Sequence, residues 1–118
     1  MAGLTTHVLD TSIGRPASGV EIELHRLGAD GVRTLIKRAK TNADGRTDAP
    51  LLAADEAHVG TYVLSFHVGA YFRGCGALTA EPPFLDFVPI RFALADPGAH
   101  YHVPLAVTPW SYSTYRGS

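Results

Sequence analysis

The stretch Val20-Glu21-Ile22-Glu23-Leu24-His25 alternates apolar and polar side chains at every step. Successive side chains of a β-strand point to opposite faces, so this alternation predicts a strand with one buried and one exposed face. The segment Gly60 to Val68 alternates in the same way. These two segments indicate that the core of the protein is built from β-sheet.

Similar short segments recur on both sides of this stretch and are separated by turn signals such as Asn42-Ala43-Asp44-Gly45 and Asp96-Pro97-Gly98. Residues 70–77 are compatible with one or two helical turns. The predicted strands cover residues 4–9, 20–25, 32–41, 46–48, 60–68, 87–94, 100–107 and 112–118. Short strands with at most one short helix indicate an all-β protein, an antiparallel β-sandwich.

Composition and charge exclude several classes of protein. The chain has 118 residues, of which 46% are hydrophobic and 18% are charged, and its formal net charge is −1. These values fit one globular domain over residues 1–118, with no basic patch for nucleic acid. No apolar run approaches the length of a membrane span, and no signal peptide is visible at the N-terminus. We therefore expect a cytoplasmic protein that binds neither nucleic acid nor membrane.

The segment from His100 to Ser118 carries the side chains best suited to chemistry. His100 and His102 are two residues apart, so on a strand both imidazoles share one face. Arg116 and Ser118 place a guanidinium and a hydroxyl close to the last carboxylate of the sequence. These groups favour a site for an anionic small molecule that forms hydrogen bonds.

Other kinds of site fit the sequence less well. His100 and His102 supply two zinc ligands, but a catalytic zinc site needs a third, and neither an HExxH motif nor a cysteine-rich spacing is present. A serine nucleophile would lack the GxSxG turn that exposes it. The single cysteine, Cys75, excludes an internal disulfide, and we interpret it as a free structural thiol.

Taken one at a time, His7, Arg46, His102 and Arg116 are most simply explained as structural or solvated side chains. His7 lies in the middle of the first predicted strand, and Arg46 follows a turn glycine. A functional meaning for these residues depends on whether they meet in space.

Six blocks of sequence follow one another in order along nearly the whole chain. They are LTTHVLD at 4–10, GRPA at 14–17, DGR at 44–46, FLDxVPIRF at 84–92 (where x, Phe87, is a small variation), HYHVPL at 100–105 and YRGS at 115–118. Together they resemble the signature blocks of the 5-hydroxyisourate hydrolases, the enzyme branch of the transthyretin-like family. The closing Tyr-Arg-Gly-Ser is the most specific block, because it marks the hydrolases and is absent from the hormone-carrying transthyretins.

The resemblance implies a transthyretin-like sandwich of two four-stranded sheets with one short helix. It implies a homotetramer, a dimer of dimers, with active sites in the channel between the dimers. The implied reaction is hydrolytic opening of the lactam ring of 5-hydroxyisourate, giving 2-oxo-4-hydroxy-4-carboxy-5-ureidoimidazoline in urate breakdown, without cofactor or metal. The implied catalytic residues are His7, Arg46 and His102, and the implied substrate-binding residues are Tyr115, Arg116, Gly117 and Ser118.

These residue types suit a hydrolysis. A histidine, with an ordinary pKa near 6.5, can accept a proton from water at neutral pH and return it later. We expect His102 to activate water while His7 orients it or shares the proton, although either imidazole can serve. Arg46 stays protonated, so its expected role is to stabilise developing negative charge.

The rival hypothesis is a transthyretin-type carrier that holds a small aromatic ligand in the same channel without chemistry. A structural or adhesive sandwich is a third possibility, and it predicts a disposable C-terminal segment. The polar set of His7, Arg46, His102 and the closing tetrapeptide favours the hydrolase, because a carrier of apolar ligands has no reason to bury such groups.

Overall fold

A computed structural model of the chain describes residues 2–77 and 80–117. Within these ranges the chain forms ten β-strands, one α-helix and one 3-10 helix. The strands are β1 (Gly3–Thr5), β2 (Val8–Asp10), β3 (Arg15–Pro16), β4 (Glu21–Leu27), β5 (Arg33–Lys40), β6 (Gly60–Phe66), β7 (Val88–Leu94), β8 (His100–His102), β9 (Leu105–Val107) and β10 (Tyr112–Thr114). The 3-10 helix is Ala54–Glu56, and the α-helix, α1, is Val68–Gly74.

Eight of the strands form two four-stranded sheets, as the resemblance implies, and β1 and β8 form a separate two-stranded sheet. One sheet has the order β5-β4-β6-β7, and every neighbouring pair in it is antiparallel. The other has the order β10-β9-β2-β3. Two pairings are parallel, β2 with β9 and β1 with β8, so the sandwich is not antiparallel throughout.

The core lies between the two sheets. Its buried side chains confirm the strands that alternation in the sequence predicts. Leu24 pairs across the first sheet with Leu64, and both are fully buried. Val8 and Leu105, which pair across the second sheet, are also fully buried. Side chains from both sheets belong to one hydrophobic cluster, so the sheets pack face to face.

Two predicted strands are each divided in the structure. The predicted strand 4–9 breaks at Thr6-His7, because β1 pairs with β8 whereas β2 pairs with β9. The predicted strand 100–107 breaks at Val103-Pro104, where proline has no N–H to offer a neighbouring strand. The chain therefore changes partners at both positions.

Two other strand predictions were wrong, because one predicted strand is absent and the other is shorter than expected. Residues 46–48 do not form a strand, because the backbone N–H of Asn42 donates to the carbonyl of Arg46 (2.7 Å) and closes a turn. The last strand ends at Thr114 rather than continuing to residue 118. Beyond it, among the residues described, Gly117 forms a single antiparallel bridge with His102.

The helix α1 confirms the predicted helical turns and begins two residues earlier than expected. Tyr71 is buried, and its hydroxyl donates to Oδ2 of the buried Asp10 at 2.8 Å, which ties the helix to β2. Cys75, immediately after the helix, is free and exposed. Neither helix in the described ranges has the length and apolar character needed to cross a bilayer.

Candidate active site

The pairing of β1 with β8 places Thr5 directly beside His102. Oγ1 of Thr5 lies 2.9 Å from Nδ1 of His102 and 3.0 Å from Nε2 of His100. The two imidazoles therefore share one face, as their spacing predicts. All three side chains are half-buried, at the edge of the core rather than inside it.

His7 lies at the break between β1 and β2, not in the middle of a strand as predicted. The backbone holds it from both sides. Its carbonyl accepts from the N–H of Leu105 at 2.9 Å, and the hydroxyl of the preceding Thr6 donates to the carbonyl of Val103 at 2.7 Å. The change of strand partner therefore leaves a half-buried imidazole beside the start of β9.

Arg46 belongs to a tight loop that docks against the start of β2. Oδ1 of Asn42 accepts the backbone N–H groups of Asp44 (2.9 Å) and Arg46 (3.2 Å), and the N–H of Val8 donates to the carbonyl of Gly45 at 2.8 Å.

Gly45 permits this close approach of the loop. Its φ is +75°, and a Cβ there would collide with the carbonyl oxygen of Val8 and lie 3.2 Å from Cδ2 of His7. Only glycine tolerates both the left-handed backbone and the contact without strain. The glycine that precedes Arg46 thus allows its loop to pack against His7.

The surroundings of His102 lower the pKa of its imidazole. Partial burial of the ring lowers the pKa of His102 below its ordinary value, and the charges of Arg46, His7 and His100 lower it further. Hydrogen bonding to Thr5 acts in the opposite direction. The charges of Arg46, His7 and His100 therefore favour the neutral form of this imidazole.

The segment after β10 lies against the same histidine. The N–H of Gly117 donates to the carbonyl of His102 at 2.7 Å, and a Cβ on Gly117 would lie 3.0 Å from Cδ2 of that ring. The guanidinium carbon of Arg116 stands 4.3 Å from the centre of the Tyr101 ring. Tyr115 is 68% exposed. Ser118, the last predicted site residue, is outside the described residues.

Open space adjoins the cluster on two sides. A cavity of about 190 Å³ lies between Thr5, Arg46 and the loop 47–50. A groove of about 220 Å³ separates β7 from the segment that carries Tyr115 and Arg116, with Tyr101 and Val103 in its floor. In the part of the chain that the structure describes, no three His, Cys, Asp or Glu side chains are grouped to hold a metal ion.

Thr5 and the Asn42 loop anchor were not among the residues singled out from the sequence. The spacing of His100 and His102 predicts their shared face, but Thr5 lies 97 residues from His102. Nothing local marks that contact, since it depends on the pairing of β1 with β8. Asn42 and Gly45 carry a turn signal that does not reveal what the turn packs against.

Known proteins match this chain over nearly its whole length. The model of the HIUase/Transthyretin family matches residues 4–117. The 5-hydroxyisourate hydrolase of Deinococcus radiodurans is 59% identical over 116 residues, which cover 98% of this chain and 96% of that protein.

Two solved structures are similar over almost the whole chain. The crystal structure of (S)-allantoin synthase matches with a TM-score of 0.91 and 48% identity over 98% of this chain, which spans 43% of the length of that protein. Sea bream transthyretin in complex with thyroxine matches with a TM-score of 0.85 and 30% identity, over 97% of this chain and 93% of that one.

Proposed function

The chain belongs to the HIUase/Transthyretin family, and we propose that it hydrolyses 5-hydroxyisourate by opening the lactam ring in urate breakdown. The proposal is supported by the packing of the Gly45-Arg46 loop against His7 and by the charges of Arg46 and His7, which lower the pKa of the His102 imidazole. The reaction needs one group to activate water, one to stabilise the oxyanion and one to protonate the leaving nitrogen. Histidine and arginine side chains can fill these three roles.

His102 is the proposed general base. Its lowered pKa keeps the ring neutral at neutral pH, so one nitrogen retains a lone pair. Nδ1 faces the hydroxyl of Thr5, which leaves Nε2 for a water molecule. His102 takes a proton from that water while the oxygen attacks the lactam carbonyl, and His7 orients the water or shares the proton.

Arg46 is proposed to stabilise the oxyanion that forms on the attacked carbonyl. A guanidinium does not lose its proton in a protein, so it acts as a fixed positive charge with several donors. When the carbonyl re-forms, the C–N bond of the ring breaks and the proton held by the imidazole passes to the leaving nitrogen. The product is a carboxylate with an open ring.

Tyr115, Arg116, Gly117 and Ser118 are proposed to bind the substrate. Gly117 lies against the ring of His102, so the segment passes beside the proposed base. The guanidinium of Arg116 can form paired hydrogen bonds with planar oxygen acceptors of a urate-like ring.

The proposed assembly is a homotetramer, a dimer of dimers, in which residues 1–118 form one hydrolase domain in each protomer. Several large apolar side chains are exposed in the single chain, among them Phe84 (68%), Tyr115 (68%) and Trp110 (56%). Exposed apolar groups of this size favour burial against a partner. Light scattering that shows a fully active monomer would contradict the assembly. The cytoplasmic location stays a prediction.

The carrier alternative is weaker on two grounds. Sequence identity is 59% with a named hydrolase and 30% with a transthyretin bound to thyroxine. The groups gathered at His102 are also polar, whereas a carrier of an aromatic ligand needs an apolar lining.

An ultraviolet assay tests the function directly. 5-Hydroxyisourate is generated in situ from urate with urate oxidase, and the decay of its ultraviolet absorbance is followed with and without the protein. We expect decay to accelerate in proportion to protein concentration, and Arg46→Ala to remove most of the acceleration. A decay rate that stoichiometric protein leaves unchanged would refute the hydrolase.

A further inference from the structure

A single hydroxyl stands between two imidazoles at the edge of the proposed site. Oγ1 of Thr5 is 2.9 Å from Nδ1 of His102 and 3.0 Å from Nε2 of His100, both within hydrogen-bond distance. Thr5 lies on β1 and both histidines lie on β8, so the backbone pairing of these strands fixes all three side chains. The contact joins the proposed base to a histidine that has no role in the mechanism above.

The number of protons limits how this contact can be arranged. A hydroxyl has one proton, so Thr5 donates to one ring and accepts from the other when both rings are neutral. In one arrangement Nδ1–H of His102 donates to Thr5, and Thr5 donates to Nε2 of His100. In the other, Nε2–H of His100 donates to Thr5, and Thr5 donates to Nδ1 of His102.

These two arrangements couple the tautomers of the rings. In the first, both histidines carry their proton on Nδ1, and Nε2 of His102 has a free lone pair. In the second, both carry it on Nε2, and His102 is a donor rather than a base. Mixed tautomers leave the hydroxyl facing either two donors or two acceptors, which breaks one of the two hydrogen bonds.

We infer that Thr5 is a positioning residue that joins His100 to His102 in a proton relay and holds His102 in its base-competent tautomer. This inference rests on the proposed function for the identity of the reaction, but the coupling of tautomers does not depend on the substrate. Thr5 itself contacts neither substrate nor water in this account, and it acts through His102.

The relay conserves protons at every step. His102 takes a proton from water on Nε2 and becomes an imidazolium. Its Nδ1 proton then passes to the oxygen of Thr5 while the hydroxyl proton of Thr5 passes to Nε2 of His100. The positive charge now lies on His100, and His102 is neutral with a proton on Nε2. The reverse transfer restores Nδ1–H as His102 delivers the Nε2 proton to the leaving nitrogen.

The charges around His102 explain why such a relay is useful. Partial burial and the charges of Arg46, His7 and His100 all disfavour the protonated form of His102. The closing segment also lies beside β8. There, a guanidinium nitrogen of Arg116 is 3.5 Å from the backbone carbonyl oxygen of His100. The carbonyl oxygen of His100 therefore partly balances the positive charge of Arg116. A route from His102 to His100 lets His102 hold the proton taken from water on Nε2 as a neutral donor, until the reverse transfer accompanies its delivery to the leaving nitrogen.

Thr5→Val removes the hydroxyl and keeps the shape of the side chain, and Thr5→Ser restores the hydroxyl. Thr11→Val is a matched control, because the hydroxyl of Thr11 donates only to a backbone carbonyl, that of Val107, at 3.3 Å. We expect Thr5→Val to lower kcat by about tenfold or more with KM nearly unchanged, a part of the 10²–10⁴ that general acid–base catalysis supplies. Thr5→Ser should regain most of kcat, and Thr11→Val should match the unmodified protein.

Nitrogen-15 NMR of histidine-labelled protein reads the tautomers without substrate. We expect His100 and His102 to carry their protons on the same kind of nitrogen, Nδ1, and Thr5→Val to abolish this agreement. If Thr5→Val does not fold, His100→Ala removes the far end of the relay and should lower kcat to a similar extent. Mixed tautomers in the unmodified protein, or full kcat in Thr5→Val or His100→Ala, would overturn the relay. Failure of the unmodified protein to hydrolyse 5-hydroxyisourate would instead refute the proposed function, while the tautomers still test the coupling.

Discussion

The sheet of β5, β4, β6 and β7 and the edge where β1 meets β8 are built in opposite ways. In the sheet, strands of seven or eight residues pair with antiparallel neighbours along their whole length. At the edge, two three-residue strands from opposite ends of the sequence pair in parallel, and two loops pack beside them. The sheet supplies the buried area, and the edge supplies the polar groups.

This difference separates stability from chemistry. Leu24, Leu64 and Phe66 are fully buried in the sheet, and each such side chain contributes about 1.5–3 kcal/mol through the hydrophobic effect. His7 and His102 are only half-buried, and Arg46 is exposed. Side chains at the edge can therefore be changed with little loss of folding, while those in the sheet cannot.

The largest loss of activity is expected from deleting Tyr115 to Ser118. The deletion removes the Gly117 bridge to His102 and the Arg116 contact with Tyr101, while both four-stranded sheets keep every strand. Ring opening should be abolished, with circular dichroism and the melting temperature close to those of the full chain. Hydrolysis by the truncated protein at the full-length rate would show that this segment is not part of the site.

Single substitutions of the proposed catalytic residues should come next. Arg46→Ala should lower kcat by about 10²–10³-fold, the usual cost of losing one oxyanion donor, and His7→Ala and His102→Ala should also cost orders of magnitude. Arg38→Ala is the matched control, because Arg38 lies on β5 and pairs with Glu23 at 3.5 Å on the exposed face of the sheet. Collapse of folding in all three variants, with normal activity in the folded fraction, would make these residues structural.

A smaller effect is expected on the titration of His102. Arg46→Ala removes one charge that disfavours the imidazolium, so the pKa of His102 should rise toward its ordinary value. The folded-state pKa lies below the unfolded one, so stability from this group is complete above about pH 6.5 and is lost as the pH falls through the lowered value. NMR titration measures the shift, and an unchanged pKa in Arg46→Ala would place the guanidinium away from the ring.

The smallest effect on catalysis is expected from a change in the sheet. Leu64→Ala empties a fully buried position and should lower the free energy of unfolding by about 2–5 kcal/mol. Because Leu64 lies in the middle of β6, in a different sheet from β1 and β8, kcat of the folded protein should stay within about twofold. Urea unfolding and activity measured on the same sample separate the two quantities. A large fall in kcat would mean that the two regions are coupled.

The sequence predicted the sheet better than the edge, and the reason is physical. The alternation from Val20 to His25 is a local property that a strand buried on one face requires, so it is legible in a few residues. The helix and the turn at Asn42 to Gly45 are local in the same sense. Only a resemblance to a family pointed to His7, Arg46 and His102 as one group.

The details at the edge depend on contacts between distant parts of the chain. The hydroxyl of Thr5 meets His100 and His102 only because residues 3–5 pair with residues 100–102. The break of the first strand at His7 follows from a change of partner that alternation does not encode. Arg46 was predicted to lie in a strand. The backbone hydrogen bond from Asn42 to the carbonyl of Arg46, which makes this segment a loop, cannot be read from the sequence.

The central claim is that His102 and Arg46 act as one unit on one substrate, and a double-mutant cycle on kcat/KM tests it most directly. The rates of the unmodified protein, His102→Ala, Arg46→Ala and the double variant are measured with 5-hydroxyisourate under the same conditions. Residues that act together in one step give strongly non-additive losses. We predict that the double variant is about as slow as the slower single variant. Losses that multiply, as for two independent sites, would contradict the account.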